Sequence, residues 1–146
     1  MKRLFSNLVI SAALMLPAAL AQPTEAQKVT GIWIFWGLLP GQTQPSYVGT
    51  AQFEANGTIS GSGGVMGQWV RTGNLEFAFT FLANSYDSSG AYTNTHRVHG
   101  MLTLGDDRVS GTGKTLLEIL DATGKVIFTA PGPTAFTGVK LVVTPF

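Results

Sequence analysis

The sequence predicts an all-β domain of about eight antiparallel strands in up-and-down meander order, closed into a barrel. Three observations predict it. β-Branched and aromatic runs recur with period-two alternation, and no segment after residue 29 has helical periodicity. Turn clusters separate the runs at short intervals, so sequence neighbours pair as hairpins and no βαβ crossover fits. The runs are also long and apolar on one side only. That side needs a closed barrel or a second sheet to cover it, and closure removes the edges that would aggregate.

The strands read, in order, as Thr30 to Gly37, Tyr47 to Glu54, Thr58 to Ser62, Val65 to Arg71, Leu75 to Asn84, Ala91 to Leu104 and Arg108 to Leu120. The last is Lys125 to Ala130 together with Phe136 to Val143. Asn56-Gly57 is a two-residue hairpin signal, followed by turns at Thr72-Gly73-Asn74, Asp87-Ser88-Ser89-Gly90, Gly105-Asp106-Asp107, Ala122-Thr123-Gly124 and Pro131-Gly132-Pro133. Gly61-Ser62-Gly63-Gly64 is either a loop or a bulged strand. The one long loop, Leu38 to Ser46, begins with Leu38-Leu39-Pro40, an apolar start suited to a lid over the barrel mouth.

Alternation assigns the faces. Leu75, Phe77, Phe79 and Phe81 share the inward side of the fifth strand. On the sixth, Tyr92, Asn94, His96, Val98, Gly100, Leu102 and Leu104 point inward, and Arg97 and His99 point outward. Val109, Gly111, Gly113, Thr115, Leu117 and Ile119 are the inward set of the seventh. Arg71 shares the parity of Trp69, and Tyr47 is a further candidate for the inward polar set.

Ahead of the barrel, residues 1–21 have the form of a secretory signal peptide. Lys2 and Arg3 form its positive start, Leu8 to Leu16 its apolar run, and Ala19-Leu20-Ala21 its cleavage site. The apolar run is shorter than the roughly 20 residues a spanning helix needs, so no membrane span is expected after cleavage. Residues 22–28 read as a disordered lead-in, and residues 29–146 as the barrel domain. The chain has no cysteine, which excludes a lipid-anchored processed terminus and leaves stability to the core. Location is therefore expected to be secreted or periplasmic, by bacterial export.

The whole chain has 9 basic and 8 acidic residues. Loss of Lys2 and Arg3 leaves 7 basic against 8 acidic, and no basic stripe for a phosphate backbone, so nucleic acid is not an expected partner. Gly111-Thr112-Gly113-Lys114-Thr115 resembles the tail of a phosphate-binding loop, but Arg108 stands where the motif needs its first glycine. His96 and His99 are spaced oddly for one strand face, and neither cysteine nor a carboxylate cluster completes a metal site. No metal or cofactor is expected, and no Gly-x-Ser-x-Gly elbow is present. Asn56-Gly57-Thr58 matches a glycosylation sequon but is better explained as a hairpin. Glu54, Glu76, Asp106, Asp107 and Glu118 read as solvated surface. Nothing in the residues specifies an oligomeric state.

Gly31-Ile32-Trp33, opening the first strand, resembles the Gly-x-Trp signature of the lipocalins and the wider calycin group. The resemblance implies a basic residue of the last strand packed over the tryptophan, which by position is Lys140, in a cation–π contact of roughly 0.5–2 kcal/mol. Gly67-Gln68-Trp69, the stretch from Arg97 to Leu104, and Phe136-Thr137-Gly138-Val139-Lys140 are similar to small secreted bacterial barrels of lipocalin-like or allene-oxide-cyclase-like type.

A barrel of eight strands has an interior that is either filled or holds one small ligand. The first expectation is a non-enzymatic protein binding a small hydrophobic or amphipathic molecule. Trp33, Phe53, Trp69, Phe77, Phe79 and Phe81 would form the apolar walls, with Tyr92, Asn94, His96 and Arg71 as polar anchors. The second, implied by the cyclase resemblance, is an isomerase or cyclase acting on a hydrophobic substrate. His96 or Tyr92 would transfer the proton, with Asn94 or Arg71 stabilising charge. A third is a structural barrel with a packed core, in which Trp33 and Trp69 are simply core filling.

Overall fold

The computed structural model describes residues 28–38 and 42–144. Their strands are β1 Gly31–Gly37, β2 Ser46–Phe53, β3 Thr58–Gly61, β4 Val65–Arg71, β5 Glu76–Tyr86, β6 Tyr92–Leu104, β7 Ser110–Leu120, β8 Val126–Thr129 and β9 Thr134–Lys140. The segment expected to be a signal peptide, most of the expected lead-in and the tip of the apolar loop lie outside the described residues.

Each strand from β1 to β7 pairs antiparallel with the next, and β9 closes the ring by pairing with both β1 and β7. β8 and β9 share one edge of β7: β9 lies against Ser110 to Thr115, and β8 against Glu118 to Leu120. They are two pieces of one stave, which makes the barrel eight-staved. Pro131 and Pro133 stand in the break, where their missing N–H groups cannot continue the ladder. The glycine-rich stretch after β3 resolves as a turn, in which Gly63 and Gly64 take positive φ values of 73° and 76°.

The hairpin turns are closed by short acidic and amide side chains. Asp87 accepts from the backbone N–H groups of Ser89 and Ala91, Asp107 from those of Val109 and Ser110, and Asp121 from those of Thr123 and Lys125. Asn56 does the same for Thr58. These bonds hold the three aspartates below the ordinary carboxylate pKa, led by the Ser89 hydroxyl for Asp87, the Ser110 N–H for Asp107 and the Thr123 hydroxyl for Asp121.

The inward alternation produces an aromatic core. Trp33, Phe77, Leu102 and Val29 are fully buried. Ring contacts run continuously from Trp33 to Phe35 (6.2 Å), Phe136 (5.6 Å), Phe79 (6.0 Å), Phe53 (6.3 Å) and Trp69 (6.4 Å), and then to Phe77 (5.7 Å). Gly113 makes room for this packing. A methyl group there would run into the Met101 carbonyl and the Phe136 ring.

This packing is concentrated at one end. The lower end holds the β2–β3, β4–β5 and β6–β7 turns. There the Trp33 indole N–H donates to the Val29 carbonyl (2.8 Å) and that of Trp69 to the Glu54 carbonyl (2.9 Å), so both buried indoles are satisfied. Lys140 lies opposite Trp33 in register, as expected. Its ammonium, however, donates to the Lys28 carbonyl (3.2 Å), and its stem crosses Gly31, where an added Cβ would come within 2.7 Å of Cε. The expected cation–π contact with Trp33 is not among the contacts of the described residues, because the lysine is spent on tying down the chain that leads into β1. Burial holds its pKa below the usual lysine value.

Candidate functional site at the open end

At the upper end β5 runs past the end of β4, and β6 and β7 rise with it, β7 flanked there by β8. β1 stops at Gly37, β3 at Gly61, and β4 begins only at Val65, whereas β5 continues to Tyr86, β6 starts at Tyr92 and β7 reaches Leu120. The inner face of these long strands therefore stands above the rim. Its rows follow from register. Phe81, Val98 and Leu117 form one row, and Ala83, His96, Ile119 and Phe128 the next, with Ser85 opposite Asn94 beyond them. Phe81, Val98, Leu117 and Ile119 are only half-buried, and Phe128 is 47% exposed. This is an apolar inner surface open to solvent.

Three polar side chains sit on it. Ser85 Oγ and His96 Nε2 face each other at 3.4 Å. Beside them Asn94 is half-buried, and its Oδ1 is covered yet has no hydrogen-bond partner. No carboxylate hydrogen-bonds to His96 among the described residues, so no acid–base dyad is assembled there.

The other expected site residues fall elsewhere. Trp33, Phe53, Trp69, Phe77 and Phe79 are buried against one another below the rim; of the expected walls only Phe81 reaches the open surface, stacked on Phe79 at 5.9 Å. Tyr92 does not line the interior. A β-bulge at Ser85/Tyr86 pairs it with Tyr86 and turns it to the outer face. There it is 40% exposed, packs edge-on to Tyr86, and its hydroxyl meets Thr95 Oγ1. Arg71 is likewise outside: at the end of β4 it is exposed, and its Nε donates to the Gly73 carbonyl (2.7 Å). Tyr47 pairs with Trp36 across a bulge and is exposed on the outer wall. Of the expected lid, Leu38 is described and exposed; Leu39 and Pro40 lie outside the described residues.

One cluster was not foreseen. On the outer face of β5, β6 and β7, Glu118 Oε2 accepts from Arg97 Nε (2.6 Å) and contacts His99 Nε2 (3.0 Å), while His99 Nδ1 contacts Thr80 Oγ1 (3.0 Å). Glu118 is thus not a freely solvated carboxylate; its side chain is 17% exposed, and the bonds from Arg97 and then His99 lower its pKa. Outward parity of Arg97, His99 and Glu118 is readable in the sequence, but their cross-strand register is not. The hydroxyl–imidazole–carboxylate order resembles a hydrolase triad, yet the carboxylate is shared with an arginine. The strand N–H groups around it also belong to the sheet ladders rather than to an oxyanion hole. It is a cross-strand clasp.

Among the described residues no group of three or more His, Asp or Glu side chains gathers as a metal site. Two shallow concavities of about 280 and 270 Å³ lie on the outer wall, one beside Ile32, Gln52 and Ser60 and the other beside Thr103, Thr112 and Thr137. The fold and this geometry define a closed eight-staved antiparallel meander barrel with one sealed end and one open end. No protein-family model matches the chain, and no curated protein does.

Proposed function

We propose that the protein is an exported, calycin-like barrel of bacterial secreted or periplasmic type that binds a small hydrophobic or amphipathic molecule at its open end. The observation that carries the binding reading is the half-exposed apolar inner surface of Phe81, Val98, Leu117, Ile119 and Phe128 with Ser85, Asn94 and His96 set into it. Binding sites of this kind combine apolar walls with a few placed polar groups. Export is supported by the pattern of Lys2, Arg3, Leu8 to Leu16 and Ala19-Leu20-Ala21, and the calycin likeness by Gly31-Ile32-Trp33 at the start of a meander barrel. Binding is favoured over catalysis because, among the described residues, His96 meets a serine hydroxyl and no carboxylate that would orient it.

The filled lower interior favours a second reading, a barrel whose role is structural. Titration with N-phenyl-1-naphthylamine, a neutral dye that brightens in apolar surroundings, separates the two. The binding reading expects one saturable site per chain, weakened at least about tenfold by Leu117→Glu and untouched by Met66→Glu on the outer wall. Absence of saturable brightening in the folded native protein would support the structural reading.

A further inference from the structure

We propose that the site at the open end takes an anionic amphipath and that His96 holds its charged head, so that capture is tighter below neutral pH than above it. This rests on the binding reading above and adds the charge of the ligand and the condition of its release.

Among the described residues His96 is the one titratable side chain on the open inner surface. Its neighbours there carry no charge: Ala83 and Ser85 lie on β5, Ile119 on β7 and Phe128 on β8. On β6 itself Arg97 and His99 point outward and meet Glu118, and Tyr86 and Tyr92 also stand on the outer face. The other charges of this end are in its turns. Asp87 and Asp121 each spend Oδ1 on donors of their own turn, and Lys125 is exposed where the β7–β8 turn meets β8. The charge of the inner surface is therefore set by one imidazole, a group whose charge changes between about pH 5 and 8.

Protonation also changes what the surface can donate. Ser85 Oγ is the one hydrogen-bond partner of His96 among the described residues, 3.4 Å from Nε2. A neutral imidazole has a single N–H; the protonated ring has two. Nε2–H then donates to Ser85 Oγ, which frees the serine O–H, and Nδ1–H is left for a ligand. An anionic head group accepts both, the ring bond being charge-assisted. With the ring neutral, the same head group would enter a half-buried apolar surface that offers it no charge, which is costly. The tail lies along Phe81, Val98 and Leu117 in either case, so a neutral amphipath of equal length gains nothing from acid.

Competition against bound N-phenyl-1-naphthylamine tests this with 1-decanesulfonate, anionic at every pH used, and 1-decanol, neutral at every pH used. The sulfonate should displace the dye about three- to tenfold more effectively at pH 5.5 than at pH 8, the worth of a charge-assisted bond discounted for solvent at a half-open site. Decanol should displace it equally at both. In His96→Gln, which keeps a partner for Ser85, the sulfonate should lose its pH dependence; in Lys125→Gln it should keep it. NMR of the native protein reads the same coupling without a variant. Saturating sulfonate should raise the His96 titration midpoint by about 0.5 to 1 pH unit, the same ratio expressed as proton linkage, and leave that of His99 on the outer wall in place. Failure of the sulfonate to displace the dye, displacement independent of pH, a pH dependence that survives in folded His96→Gln or vanishes in Lys125→Gln, or an unmoved His96 midpoint would each overturn the assignment. Decanol binding would in that case leave the open-end site standing. Failure of the native protein to take up the dye would instead remove the site itself, and this inference with it.

Discussion

The two ends of the barrel are made from the same staves with the same inward alternation, yet one is closed by side chains and the other is not. At the lower end Trp33, Trp69, Phe77 and Leu102 converge from four strands, and Val29 caps them. At the upper end Val98, Leu117 and Ile119 also face inward, but β1, β3 and β4 end before reaching them. Closure thus depends on strand length as much as on hydrophobicity. An inward apolar residue is buried only if a stave stands opposite. Where β5, β6 and β7 rise past the ends of β1, β3 and β4, the same pattern leaves an open surface.

The largest effect expected from this contrast is on stability. Phe77→Ala at the sealed end should cost about 3–5 kcal/mol, the usual range for deleting a buried aromatic ring. Phe81→Ala, at the edge of the open surface, should cost less than about half of that, since part of its ring is already hydrated. Urea denaturation of the two variants checks the difference, and equal losses would erase the distinction between the ends.

Next in size is Gly113→Ala. Its methyl would meet the Met101 carbonyl, which the β6–β7 ladder holds in place, and the Phe136 ring. Overpacking of this kind costs about 1–3 kcal/mol. A variant as stable as the native protein in urea would show that the middle of the barrel is looser than the ring contacts imply.

Acid acts on both ends together. Asp87 and Asp121 close upper turns, Asp107 a lower one, and Glu118 joins β6 to β7; all four have folded pKa values below their ordinary 3.8 or 4.5. A depressed carboxylate contributes stability that is complete above its unfolded pKa and is lost as pH falls through the folded one. The urea midpoint should therefore hold from pH 7 to about pH 5 and drop steadily below pH 4. Asp121→Asn, which keeps an acceptor but no titrating charge, should flatten part of that drop. A midpoint independent of pH down to 3 would contradict the turn assignments.

The smallest expected effect on stability is that of Phe128→Ser, on the rim. Exposed as it is, its loss should move stability by no more than about 0.5 kcal/mol while weakening N-phenyl-1-naphthylamine binding. A large loss of stability would mean that the upper surface is packed, not open.

Much of this architecture was legible beforehand for a local reason. Period-two alternation and turn residues are short-range signals, and they placed β4 at Val65 to Arg71 as observed and Leu102, Phe77 and Phe79 in the core. Tyr92 was misplaced because parity counts residues and a bulge adds one: nothing around Ser85 and Tyr86 announces the slip. Arg71 kept the right parity, but a long side chain at a strand end is free to turn back onto the Gly73 carbonyl. The clasp of Thr80, His99 and Glu118 depends on the register of three strands across 39 positions of sequence, which no local pattern encodes. A mouth with inward polar groups follows from the sequence, but which strands form its surface does not. That surface arises from a mismatch in length between strands far apart in the chain, which the inward residues alone do not describe.

The most direct test is solvent paramagnetic relaxation of assigned methyl groups with a neutral gadolinium chelate. The methyls of Val98, Leu117 and Ile119 should broaden markedly, and those of Val29, Leu102 and Leu104 should remain sharp, although both sets face inward. Equal protection of the two sets would mean that both ends are sealed and would contradict an accessible inner surface.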